Sequence, residues 1–119
     1  MNANGDGRVL RAGELEIHPD DGLVLAHHRA VRVSRRELQL LVVLVERAGR
    51  VVSREELYAL TWGGELRPGD RCVDVYVHKL RTKLEAALPD QTVIHTHFGF
   101  GYRLHPEPSQ DVHKAATAP

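Results

Sequence analysis

Residues 95–105, His-Thr-His-Phe-Gly-Phe-Gly-Tyr-Arg-Leu-His, gather side chains suited to three kinds of chemistry. His95 and His97 lie two apart on a strand, share one face, and so make half of a metal site. Gly99 and Gly101 allow the tight or positive-φ backbone of a phosphate cradle or of a hairpin turn. The metal reading lacks a third ligand fixed by sequence. His27, His28 and His105 are the candidates, and neither metal nor cofactor is expected. The cradle reading lacks the third glycine and the following helix of a dinucleotide fingerprint. With Val93 to His97 before it and Tyr102 to Leu104 after it, the Phe98-Gly-Phe-Gly101 segment reads as the turn of a hairpin. No nucleophile elbow, phosphate loop ending in Gly-Lys-Ser/Thr or paired-carboxylate signature occurs, so an enzyme is not expected.

The second group of reactive side chains lies in residues 70–84. Four basic residues (Arg71, Lys79, Arg81, Lys83) face two acidic ones (Asp70, Asp74) there, whereas the 119-residue chain balances 16 basic against 16 acidic residues. Zero net charge argues against indiscriminate binding to nucleic acid and leaves room for one local anion-binding face. At about 100° per residue, Val73, Tyr76, Val77, Leu80 and Leu84 fall on one side of a helix. Arg71, Val75, His78, Lys79 and Thr82 fall on the other, with Arg81 on its flank.

Other elements must hold these two groups. Hydrophobic residues make up 42% of the chain and charged residues 27%, which suits one soluble domain with a single core. The longest apolar run, Leu40 to Val45, is far short of the roughly 20 residues of a membrane span. The polar N-terminus lacks an apolar h-region, so a secretory signal is not expected. One cysteine, Cys72, suits a reducing compartment, and a cytoplasmic protein is expected.

Val9 to Val33 reads as three or four short antiparallel strands: Leu15 and Ile17 alternate, Pro19-Asp-Asp-Gly22 is a turn, and Leu23 to Ala26 and Val31 to Val33 are β-prone. Ser34-Arg-Arg-Glu37 and Ser53-Arg-Glu-Glu56 are both capping boxes with apolar neighbours on each side. The first helix should run to about Ala48 and stop at Gly49, with Leu38, Leu41, Val42 and Val45 as its stripe, widened by Leu40 and Leu44. The second should end near Trp62-Gly-Gly64. Asp70 caps a third helix running to Leu88 before Pro89. No internal repeat is evident. Residues 1–7 are expected as a disordered lead, 8–105 as the domain and 106–119 as a disordered tail.

The order is strands, helix, helix, basic helix, hairpin. The fold class is α+β: a winged helix-turn-helix with an N-terminal antiparallel sheet, three helices and a C-terminal β-hairpin wing. A helix such as 70–88 fits a major groove about 12 Å wide, and the hairpin 93–104 would lie on the backbone or the minor groove.

Several motifs then agree in order and spacing with one family. Val51-Val-Ser-Arg-Glu-Glu-Leu57, Thr61-Trp-Gly63, Arg71-Cys-Val-Asp-Val-Tyr-Val77, Leu80-Arg-Thr-Lys-Leu84 and Thr96-His-Phe-Gly-Phe-Gly-Tyr-Arg103 resemble the OmpR/PhoB-type effector domain of bacterial two-component response regulators. The resemblance covers roughly Val9 to Leu104. It implies a sequence-specific regulator of transcription that binds double-stranded DNA at direct repeats as a tandem homodimer. In the family, a receiver domain controls dimerisation. The chain leaves no room for one, so it reads either as an excised effector domain or as a regulator without a receiver.

The resemblance assigns roles residue by residue. Lys79 and His78 would read bases and phosphates; Lys79 stands where relatives often carry arginine and lacks its bidentate fork. Val75 would meet a thymine methyl, or is a scattered apolar surface residue. Tyr76 and Thr82 complete the helix-three set. Arg71 and Arg81 would bind phosphates, and Arg71 could also pair with Asp74. Arg54 and Trp62 would touch the backbone, or Trp62 is a packed ring. Cys72 stands where threonine is common, either as a small-residue substitution or as a thiol activated at a helix N-terminus. Thr96 and Tyr102 would contact the backbone from the wing. Phe98 replaces a minor-groove arginine and is expected to fold back onto its own sheet, leaving specificity to helix three. Glu65, Leu66 and Arg67, in the connector 63–69, would meet RNA polymerase, or Glu65 and Arg67 are plain loop charges. The competing function is a winged-helix protein-interaction module with weak or no DNA binding.

Overall fold

Alternating burial along three short segments sets the first layer. In the computed structural model, which describes residues 7–109, β1 (Leu10–Ala12), β2 (Leu15–His18), β3 (Leu23–Ala26) and β4 (Arg29–Ala30) form an antiparallel meander in that order. Leu15, Ile17, Val24 and Ala26 point to one face and are buried there. A single 3₁₀ turn at Pro19–Asp21, ended by Gly22 in the left-handed region, joins β2 to β3. The last strand differs from expectation. Val31 to Val33 is not a strand, because His27 and His28 turn the chain at positive φ and pair Ala26 directly with Arg29. Two non-glycine residues in that region make a two-residue hairpin loop that starts β4 early.

The sheet leans on α1 (Arg35–Glu46). Ser34 accepts the Glu37 N–H and Glu37 accepts the Ser34 N–H, the full reciprocal cap. The helix ends two residues before Ala48, and Gly49 follows at φ +87°. Its buried side comprises Leu38, Leu40, Leu41, Val43, Leu44 and Val45, with Val42 only half-buried, so the stripe is rotated toward Val43 relative to expectation. A two-residue strand that the sequence pattern does not announce, β5 (Val51–Val52), precedes α2 (Arg54–Thr61). The cap of α2 is half of the expected box. Ser53 accepts the Glu56 N–H, but the Glu56 carboxylate is taken by Arg47 at 3.3 Å.

The third helix, α3 (Cys72–Ala87), packs Val73, Val77, Leu80 and Leu84 inward, and Asp70 accepts the Cys72 N–H at 2.9 Å. The hairpin β6 (Gln91–His97) and β7 (Gly101–Pro108) closes the core, with β7 between β5 and β6. Strand β7 continues past Leu104 through Pro106 to Pro108, so the ordered domain extends beyond residue 105, the expected edge. Residues 1–6 of the expected lead and 110–119 of the expected tail lie outside the described residues. Among the described residues, 7–109, no helix is long and apolar enough to cross a membrane.

One glycine fixes how the hairpin sits. Gly101 lies at φ +143°, and a Cβ there would collide with the Val52 carbonyl oxygen and come within 2.9 Å of Ser53 Cα. The absence of a side chain lets the wing lie directly against the cap of α2.

Candidate nucleic-acid interface

The inward stripe of α3 leaves its other face uncovered. Val75 is 46% exposed, and Arg71, His78, Lys79 and Thr82 are exposed beside it. Five of the expected contact residues are thus brought together on one helical surface. Tyr76 is half-buried at the edge of this surface. Its ring meets Trp62 edge-on at 5.4 Å and carries the Lys79 ammonium 4.9 Å above it. Trp62 in turn stacks on Tyr58 at 5.5 Å with the Arg36 guanidinium 5.1 Å from its centroid. Of the two roles open to Trp62, the packed ring is the one displayed. The arrangement places one cation, Arg36 of α1, on the middle ring and another, Lys79, on the last ring of an aromatic ladder running from α2 to α3.

The geometry of the N-terminal end of α3 is set by a single carboxylate. Asp74 accepts from Arg71 Nε at 2.8 Å, Arg54 Nε at 3.0 Å and the Tyr102 hydroxyl at 2.6 Å. Burial pushes the Asp74 carboxyl up, but the bonds from Tyr102, Arg71 and Arg54 outweigh it and hold the group below its ordinary range. Burial and the Asp74 carboxylate together push the Tyr102 phenol up to about 12. Arg54 also donates to the Asp70 carbonyl at 3.0 Å. The network therefore ties α2, α3 and β7 together, and it employs Arg54 and Tyr102 internally. Arg71 differs: its side chain remains 74% exposed, so its partnership with Asp74 leaves donors facing outward.

On the flank, Arg81 Nη2 donates to the Thr96 hydroxyl at 2.8 Å, joining two residues expected to contact phosphate separately. Cys72 is half-buried, and its thiol is pushed up by burial and then by Asp70, the reverse of activation. The helix end does not make it a reactive thiolate. In the connector, Glu65 and Arg67 are exposed while Leu66 packs against the core.

The wing tip departs from expectation. Phe98 does not fold back onto its sheet: it is 88% exposed, and Phe100 is 76% exposed. The turn is closed by the Phe100 N–H donating to the His97 carbonyl at 2.8 Å, with Gly99 at φ +84°. This leaves both rings beyond the last strand pair, His97 with Gly101. The histidines also find partners. His97 Nε2 accepts from Arg103, and His95 Nε2 lies 2.8 Å from the His105 carbonyl oxygen. Among the described residues no group of three side chains is placed to hold a metal ion.

Sequence reasoning did not find the Asp74 hub, the Arg36–Trp62 contact, or Glu37 as a buried charge. Glu37 is 2% exposed and is met by Lys83 Nζ at 2.6 Å. Only the Arg71–Asp74 spacing offered a signal, because the other partners are distant in sequence.

Known proteins share this arrangement. Residues 28–104 match the family of transcriptional regulatory protein C-terminal domains. The phosphate regulon transcriptional regulatory protein PhoB of Rhizobium meliloti is 38% identical over 97 residues, covering 81% of this chain and 42% of that protein. The transcriptional regulatory protein CreB of Escherichia coli K12 is 35% identical over 96 residues, with the same two coverages of 81% and 42%. The chain thus spans about two-fifths of the length of these relatives. The RstA DNA-binding domain of Klebsiella pneumoniae, solved in complex with the RstA box, superposes with a TM-score of 0.75 at 28% identity, covering 82% of this chain and 97% of that one. The chain belongs to the OmpR/PhoB family of winged-helix DNA-binding domains of transcriptional regulators.

Proposed function

We propose that the domain reads double-stranded DNA sequence-specifically, with α3 in the major groove and the β6–β7 wing on the adjoining backbone and minor groove. The observation that carries this is the uncovered face of α3, where Val75, His78, Lys79 and Thr82 are presented together with the outward donors of Arg71. Lys79 donates to guanine O6 or N7, and the Val75 methyls meet a thymine methyl. Arg71, itself exposed, offers its outward donors to a phosphate, which fixes register rather than sequence. Arg81 and Thr96 supply a second backbone contact on the flank. Arg54, Tyr102 and Trp62 hold these groups in place as well as lying near the backbone path.

The RstA domain, similar in fold, was solved on its DNA box, which supports the same mode for this chain. Two copies bind a direct repeat in tandem, and Glu65, Leu66 and Arg67 of the connector meet RNA polymerase. The setting is the cytoplasm.

Selection of bound sites from random duplex DNA tests the reading, and recovery of a direct repeat is expected. On a recovered site, log affinity should fall with log salt by about 0.9 per neutralised phosphate. No enrichment together with a flat salt dependence would instead support a protein-interaction module. Lys79→Ala should relax base preference at one position, whereas Arg71→Ala should weaken all sites alike and reduce the salt slope by about one.

A further inference from the structure

The most exposed large apolar side chains among the described residues sit at the wing tip. Phe98 and Phe100 flank Gly99 and are 88% and 76% exposed. The turn is held at its base: Gly101 packs beneath the Val52 carbonyl and the α2 cap, and the Phe100 N–H donates to the His97 carbonyl at 2.8 Å. The rings line a cleft of about 550 Å³ together with Arg54, Glu55, Arg71 and Asp74. Arg71 and Arg54 pair with Asp74, and along the cleft the outward Arg71 donors are exposed, as is the Glu55 carboxylate.

We propose that Phe98 and Phe100 act as an apolar wedge that enters the minor groove, partly unstacks a base step and kinks the duplex, so that the wing selects for a deformable step. The inference rests on the duplex-binding reading above. An exposed pair of aromatic rings beside a guanidinium fits nucleic acid: the guanidinium holds the phosphate while the rings find sugar and base faces. Phenylalanine makes no hydrogen bond to a base edge, so its preference is expressed through the energy of deformation. Inserted apolar side chains kink DNA by about 20–90°. Pyrimidine–purine steps such as TA and CA/TG yield most easily, whereas A-tracts are stiff. The wing therefore contributes specificity through shape, where the sequence pattern alone suggests that it contributes little.

The test uses a selected duplex with donor and acceptor dyes at its ends and 2-aminopurine placed in turn at each step under the wing. Binding by the full chain should shorten the end-to-end distance and brighten 2-aminopurine at one step. Phe98→Ala/Phe100→Ala should bind with the bend and the brightening lost. Changing a TA step there to AA should weaken the unsubstituted protein about tenfold and the double variant less than twofold. Phe98→Leu, which keeps an apolar wedge, should retain the bend. Equal bends for both proteins, or an equal loss on the AA duplex, would overturn the wedge while leaving duplex reading intact. Loss of self-association in the double variant with the bend unchanged would assign the rings to a second copy and overturn it too. Failure of any duplex to be selected would overturn both.

Discussion

Gly101→Ala is the substitution whose cost the structure defines most sharply. The added Cβ would meet the Val52 carbonyl carbon at 2.7 Å and Ser53 Cα at 2.9 Å, closer than Cβ atoms approach other groups. Both are backbone atoms, so no side chain can rotate away. The strand β7 must separate from β5, or the cap of α2 must move. The residue also sits at φ +143°, which strains any L side chain. Overpacking of this kind costs about 1–3 kcal/mol, and the backbone conformation about 1–3 kcal/mol more. A combined loss of about 4 kcal/mol would remove a large share of the 5–15 kcal/mol typical of such a domain. At about 4–8 °C per kcal/mol, Tm should fall by roughly 15–30 °C. Gly99→Ala is the control. It lies at φ +84° with nothing within 4 Å of the new Cβ, so only the conformational cost of about 1–2 kcal/mol applies. Urea and thermal unfolding followed by circular dichroism measure both. If the two variants prove equally stable, the steric argument for the seating of the wing is wrong.

Asp74 and Glu37 are held below the ordinary carboxylate range, so they add stability above their unfolded values near pH 4 and lose it as pH falls through the folded ones. Urea midpoints should therefore drop below about pH 4, and Asp74→Asn should reduce that drop; an unchanged slope would count against the hub. Lys83→Ala leaves the Glu37 carboxylate buried without its cation, and should cost about 2 kcal/mol, more than Glu37→Gln. Denaturant titration showing Glu37→Gln to be the worse would remove that ranking. His78 is exposed on the proposed reading face, so His78→Ala should lower affinity for a selected duplex by about threefold or more. Matching affinities in anisotropy titrations would exclude a histidine contribution.

Much of the fold is written locally. The Ser34 and Ser53 caps, the apolar side of α3 and the glycines around the wing turn are short-range signals, and each gives its element close to where it is observed. Where local signals mislead, the cause is competition from outside the segment. Glu56 leaves its own cap for Arg47, and the His27–His28 turn draws Arg29–Ala30 into β4 ahead of the more β-prone Val31 to Val33. The surface of α3 is legible for the same reason that its core side is: one helical period assigns both.

By itself the sequence determined the element order, the family and the set of outward side chains on α3, because periodicity and capping act over a few residues. Only tertiary structure decided which charges are free. Arg54, Arg71 and Tyr102 lie 20, 3 and 28 residues from Asp74, and a helical spacing joins only the Arg71–Asp74 pair, yet their convergence leaves Arg71 facing outward and Tyr102 committed within. It likewise decided the fate of Phe98. An aromatic residue in a turn favours burial wherever a surface is within reach. The turn closed by the Phe100 N–H on the His97 carbonyl carries the ring past the last strand pair, His97 with Gly101, and leaves it 88% exposed.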